Sequence, residues 1–356
     1  MGRYILKRLL LIIPTLFLIL LTNFILVQAA PGGPVEQQIA QIELAQNKGE
    51  VAGASMGGGS ILSEGGYRGS RGLSEEMVEA IKAQYGFDKP APERFWIMLK
   101  NYAVLDFGTS FFKGKPVTEL IVEKLPVSIS LGLWSTLLIY LIAIPLGIYK
   151  AMHHGSGMDK LTAVMLAVGH AIPIFVFGVI LLVLFAGGSY WQIFPLQGLV
   201  SENFDQLSPL AKIKDYFWHL ALPLTASTIG GFAALTYLTK FSFIEELSKQ
   251  YVLTARAKGL SNHQVLYGHV FRNAMLIVIA GVPAAIVSIF FTGNFLIEII
   301  FKLDGLGLLG FEAIVQRDYP VIFGTLFIFT LVGLLLQLIS DISYHLIDPR
   351  IDFEGR

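Results

Sequence analysis

Six apolar runs separated by polar stretches of very unequal length set the plan of this chain. The first is Leu9–Val27, and the others cover residues 127–149, 161–186, 219–239, 276–300 and 320–342. Each approaches or exceeds the roughly 20 residues that a helix needs to cross a bilayer core. The pattern therefore predicts six spanning helices. The first run follows Arg3, Lys7 and Arg8 and is longer than the roughly 7–15 residues of a signal-peptide core. Gln28-Ala29-Ala30 would suit a peptidase, but the length favours an uncleaved first helix. Pro145, Pro173, Pro223 and Pro283 fall within or at the edges of the runs, where they predict kinks. Such kinks serve packing more often than gating.

Two polar stretches stand out. Residues 29–125 form a large loop whose segment Asn47–Gly72 is crowded with Gly and Ser. Beyond it, Ser74 starts a short helix carrying Met77, Val78, Ile81 and Tyr85, which Gly86 ends. Pro90 and Pro92 separate that helix from a second, Glu93–Leu105, with Phe95, Trp96, Leu99 and Tyr102. These aromatics suit a membrane interface or the core of a small cap. The other stretch is Lys240–Asn273. Phe243, Leu247, Tyr251 and Ala255 recur there every fourth residue, giving one helix an apolar face. Gly259 can end that helix in a left-handed cap. Ser261 and Gln264 then have capping-box spacing for another, with Val265, Leu266 and Val270 as its apolar contacts. The product is a helix–turn–helix hairpin outside the bilayer; the same spacing also suits an ordinary solvated loop.

Composition supports the membrane reading, because 54% hydrophobic and 15% charged residues are too apolar for a soluble domain of 356 residues. Lys plus Arg equals Asp plus Glu at 26 each, so bulk charge does not point to nucleic acid. The absence of cysteine excludes disulfides, thiol nucleophiles and cysteine metal sites. With both termini on one side, that side carries Lys150, Lys160, Lys240, Lys249, Arg256, Lys258, Arg272, Arg350 and Arg356 as well as the N-terminal cations. The short loops opposite hold only Lys212, Lys214, Lys302 and Arg317. The positive-inside rule then makes the termini and the 240–273 hairpin cytoplasmic. The expected organisation is a cytoplasmic N-terminus and first helix over 1–28 and a periplasmic loop or cap over 29–125. A five-helix core over 126–342 and a cytoplasmic tail over 343–356 complete it.

Candidate chemistry is sparse. Gly108–Pro116 is one residue too long for a phosphate-binding loop, and Pro116 stands where Ser or Thr would hold magnesium. The histidines (His153, His154, His170, His219, His263, His269 and His345) show no metalloprotease spacing. His170, beside Pro173 in an apolar run, could contact substrate, shuttle protons or simply pack. Glu298 and Asp341 lie near the ends of spans, where interfacial exposure is the expectation. A proton-coupled carrier would place acids nearer the midplane.

Tyr251-Val-Leu-Thr-Ala-Arg-Ala-Lys-Gly259-Leu, followed by His269-Val-Phe-Arg-Asn-Ala274, resembles the cytoplasmic signature of binding-protein-dependent ABC importer permeases. The likeness is strongest to the dipeptide/oligopeptide/nickel branch. Tyr85-Gly-Phe-Asp-Lys-Pro90, Asp106-Phe-Gly-Thr-Ser110, Pro116-Val-Thr-Glu-Leu120, Leu125-Pro126 and Ile144-Pro-Leu-Gly147 add to it. So do Gly305-Leu-Gly307, Arg317-Asp-Tyr-Pro320 and Asp348-Pro-Arg350. Within the branch, the Gly-rich insert and the C-terminal sequence are similar to B-type permeases of importers that carry oligopeptides and the peptide-nucleotide antibiotic microcin C.

The resemblance implies an all-α type I importer permease that is no enzyme and binds no cofactor of its own. ATP and Mg would belong to two cytoplasmic ATPase subunits, or one fused ATPase. A second permease in a heterodimer and a periplasmic peptide-binding protein would complete the assembly. By position, Thr254, Ala255, Arg256, Ala257, Lys258 and Gly259 would form the coupling helix that docks in an ATPase groove. Leu253 departs from the acidic residue that opens this signature in many importers. Cargo alternatives are nickel or another small solute; a proton-driven carrier or a membrane scaffold are the readings outside the family.

Overall fold

A computed structural model describes residues 2–29, 89–187, 190–291 and 295–347. Among these the regular elements are helices, with no strand. In chain order they are α1 (Gly2–Ala29), α2 (Ala91–Ala103), α3 (Val117–Met152), α4 (Gly157–Ala171), α5 (Ile174–Phe185), α6 (Pro209–Thr228) and α7 (Gly231–Leu247). There follow α8 (Gln250–Ala257), α9 (Asn262–Val265), α10 (Phe271–Phe291), α11 (Phe295–Ile300), α12 (Leu306–Gln316) and α13 (Tyr319–Ile347). The expected helix at 74–86, the Gly-rich segment 47–72 and the tail beyond Ile347 lie outside the described residues.

Among the described residues, four stretches are long and apolar enough to cross a bilayer unbroken: Gly2–Leu26, Val117–Met152, Asn262–Val287 and Tyr319–Ser343. Two further spans are broken. α4 meets α5 at 95° and α6 meets α7 at 60°, which brings the total to six if each bent pair counts once. The all-α membrane architecture is as expected, but the prolines do not mark the bends as expected. Only Pro173 sits at one, where Ile172 before it is extended (ψ 123°), as the ring's clash with the preceding residue demands. Pro145, Pro223 and Pro283 lie inside α3, α6 and α10. The second bend falls at Gly230, at the start of α7.

Residues divide into two compact units. The larger comprises Met1–Ile12, Leu120–Glu312 and Ile328–Arg356. One of its apolar cores gathers Leu131, Leu181, Leu220, Leu224, Ile297 and Phe301. Another gathers Ile148, Phe243, Val252, Ala255, Val265, Val270 and Ala274.

The smaller unit comprises Ile13–Glu119 and Ala313–Phe327. Phe95 of α2 packs against Phe17 and Phe24 of α1, at ring separations of 5.7 and 5.3 Å. Buried Tyr102 meets Phe107 and Phe327 edge-on. Trp96 on the other face is exposed, so this helix carries one aromatic packed on α1 and one facing outward. Two motifs that are far apart in sequence meet here. Buried Asp318 accepts from Ser110 Oγ at 2.5 Å and from Phe111 N–H at 3.2 Å. The 106–110 and 317–320 signatures therefore form one contact.

Candidate functional site

The first arm of the hairpin at 240–273 is built from the end of α7 and the short α8 rather than from one continuous helix. α7 stops at Leu247, and Lys249 is extended (ψ 151°), so the four-residue recurrence from Phe243 to Ala255 runs across a break. Polar side chains stabilise this corner. Ser248 Oγ donates to the Glu245 carbonyl at 2.7 Å, while Tyr251 Oη donates to Glu246 at 2.6 Å. Lys249 bonds the same Glu246 carboxylate. Burial, and then the hydrogen bond to Glu246, push the Tyr251 hydroxyl above its ordinary pKa.

Beyond the corner, the sequence expectations hold residue by residue. Gly259 takes φ +84° and closes α8, where an L-residue would be strained. Ser261 Oγ accepts from Gln264 N–H at 3.3 Å, and Gln264 Oε1 accepts from Ser261 N–H at 2.9 Å, completing the capping box. Val265, Leu266 and Val270 are buried. A π-helical turn, Leu266–Val270, then leads without a stop into α10. The second arm of the hairpin is thus the start of a span.

Burial divides the six residues expected at a docking surface. Val252 and Ala255 point into the apolar core, three residues apart on one face. Thr254, Arg256, Ala257, Lys258 and Gly259 are exposed, as is Leu253. Ala255 therefore anchors the helix, and its neighbours present the surface.

Beside this core lies a polar cluster that sequence reasoning missed. Lys150 at the end of α3, Asp159 in the first turn of α4 and Lys240 in α7 are all buried. Lys240 Nζ reaches both Asp159 oxygens at 2.8 Å, and Lys150 Nζ reaches Oδ1 at 2.9 Å. Lys150 also donates to the Asp159 carbonyl and to Thr162 Oγ1, each at 2.7 Å. Gly155 N–H gives Asp159 Oδ2 a further donor at 3.0 Å. Buried charge is tolerable when it is paired and hydrogen-bonded, and here one carboxylate holds three helices together. The available signal was three charged residues next to apolar runs; spacing could not pair residues 81 positions apart.

Other polar groups differ from expectation. Glu298, expected at an interface, is fully buried, accepting from Ser128 Oγ at 3.1 Å and Leu308 N–H at 2.7 Å. A Cβ on Gly305 would lie 2.5 Å from that carboxyl, which explains the glycine. Asp341 is buried too, accepting from Tyr4 Oη at 2.8 Å with Arg8 at 3.4 Å. Both acids are enclosed because a neighbouring helix or loop supplies donors. His170 is exposed, and its Nδ1 lies 3.1 Å from the Gly230 carbonyl.

Residues 143–353 match the family described as the binding-protein-dependent transport system inner membrane component. The chain belongs to this family. The inner membrane ABC transporter permease protein YejB of Escherichia coli O157:H7 is 58% identical over the full length of both chains. The peptidoglycan transport system permease protein YejB of Agrobacterium fabrum (strain C58) is 55% identical, also over all of both. The oligopeptide transport system permease protein AppB of Bacillus subtilis (strain 168) is 33% identical, covering 99% of this chain and all of its own. Membership of this family of inner membrane components places the chain among ABC importer permeases, which work with ATPase and binding-protein partners.

Proposed function

We propose that this permease carries peptides from periplasm to cytoplasm as one half of a heterodimeric pathway. Its termini and hairpin face the cytoplasm, where separate or fused ATPase subunits hold the ATP and Mg. A periplasmic peptide-binding protein delivers cargo. The chain itself performs no chemistry; it changes shape. The observation that carries this reading is α8: a short helix fixed from behind by Val252 and Ala255, offering Leu253, Thr254, Arg256, Ala257 and Lys258 outward. Small, exposed Ala257 allows close seating in a groove, and Gly259 turns the chain away sharply. ATP-driven closure of the ATPases then biases the spans between two arrangements, a ligand at one site shifting a two-state element at another. Peptide cargo is supported by the relatives' names, which include an oligopeptide transport system permease. Microcin C-like peptide-nucleotides belong to the same cargo class. The Agrobacterium relative's name favours peptides derived from peptidoglycan as a second cargo.

The test is co-purification of the ATPases with the permease, and peptide-stimulated ATP hydrolysis in lipid nanodiscs. Ala257→Trp and Gly259→Trp are expected to abolish both while membrane insertion persists. Unchanged ATPase association and uptake in both variants would refute the docking role.

A further inference from the structure

α4 and α7 run antiparallel and are tied at both ends. At one end Lys240 Nζ grips both oxygens of Asp159 at 2.8 Å. At the other, His170 Nδ1 meets the Gly230 carbonyl at 3.1 Å, so that nitrogen carries the proton. Next to this second tie, Gly169 packs so close to Ile229 that a Cβ would lie 3.1 Å from its side chain. The ties lie about 15 Å apart along the helices, at 1.5 Å per residue. The His170 tie coincides with both broken spans: the 95° bend before Pro173 and the 60° bend at Gly230.

We infer that α4 and α7 move as one lever, with His170 as the positioning residue at its pivot. This rests on α8 being the ATPase-docking helix, since α7 leads directly into α8 through Ser248 and Lys249. A push on α8 reaches α7, and α4 follows with the end of α3, because parting Asp159 from Lys240 or Lys150 would strand buried charges. Each helix is stiffened by its own backbone hydrogen bonds. Bending therefore concentrates at the breaks in those ladders, which lie side by side. The bond from His170 to the Gly230 carbonyl links the two bends, so the α4–α5 and α6–α7 angles change together.

The cysteine-free sequence allows the test in the intact ATPase-bound complex. Spin labels on exposed Leu161 (α4) and Ala234 (α7) report the lever; labels on Leu161 and exposed Val179 (α5) report the bend. Distances are measured by double electron–electron resonance in nanodiscs, without nucleotide and with trapped ATP. A swing of about 20° over the ~15 Å arm would move the second pair by about 5 Å. The first pair is expected to stay within about 2 Å, well below that swing. His170→Ala is expected to cut the ATP-driven shift at least by half, and His170→Gln, which keeps a donor, to restore it. A constant bend distance, an equal change in both pairs, or a full shift in His170→Ala would overturn the lever. A label on Lys258 separates the two ideas. Its immobilisation by the ATPases shows docking, so a failed lever then fails alone; no immobilisation refutes the docking reading and the lever with it.

Discussion

Replacing Asp159 with alanine removes the single anion from a buried cluster holding two lysines. Its carboxylate is bonded by Lys240 through both oxygens, by Lys150 and by Gly155 N–H. Removing one partner of a buried ion pair typically costs about 3–5 kcal/mol, because the other charge is left uncompensated. The two lysines would not suffer equally. Lys150 keeps the residue-159 carbonyl and Thr162 Oγ1, both at 2.7 Å, whereas Lys240 loses the carboxylate that binds it. About half of the loss should therefore be relieved by also replacing Lys240 with methionine, which restores about 2 kcal/mol, within the usual range for directly coupled residues. Lys240→Met alone leaves Lys150 and Asp159 as a neutral pair and should cost about 1 kcal/mol or less. Reversible unfolding in mixed detergent micelles, followed by circular dichroism, gives all three values. An Asp159→Ala loss below about 1 kcal/mol, or no recovery in the double variant, would refute this account of the cluster.

Three further outcomes are expected. Gly305→Ala forces a Cβ against the Glu298 carboxyl and should destabilise the permease by about 1–3 kcal/mol, read from the same unfolding titration. A wild-type midpoint would show that the loop moves aside freely. Ser110→Ala deletes a hydrogen bond to buried Asp318, worth about 1.5–3 kcal/mol for a charged acceptor, and should speed limited proteolysis at residues 106–116. Unaltered cleavage would refute that contact. Tyr251, whose pKa is raised, stabilises the hairpin fully below the ordinary tyrosine value of about 10, and its contribution fades as pH climbs through the folded value. Tyr251→Phe should therefore flatten the loss of stability between about pH 9 and 11, and identical slopes in both proteins would refute the assignment.

How far the sequence reached depended on the range of the interaction. Gly259 and the Ser261/Gln264 box were legible because both are decided within a few residues by backbone conformation and one side chain. The spans were legible from length and apolarity, yet their bends were not. Among prolines in apolar runs, only Pro173 follows a residue forced into extended backbone at a helix end, and the second bend lies at the Gly230-Gly231 pair, where no proline stands. The corner at Ser248–Lys249 was hidden because the apolar recurrence continues across it. Asp159 and Glu298 were misjudged or missed because Lys240 and Ser128 lie 81 and 170 positions away, while the nearer donors Lys150, Gly155 and Leu308 stand at no recognisable spacing. The same distance effect concealed that the 106–110 and 317–320 signatures are halves of one contact.

The π-helical turn at Leu266–Val270 has a consequence for how this permease tolerates insertions and deletions. Its wide loop lodges one more residue than an α-turn would, between the hairpin arm and the span. Losing a single residue there would relax the turn to α geometry and leave the helices on either side in their present phase. The surface offered by α8 would then keep its direction, and the spanning helix would stay unchanged. The same loss inside α10 has no wide turn to absorb it and would turn everything before it by about 100° around the span axis.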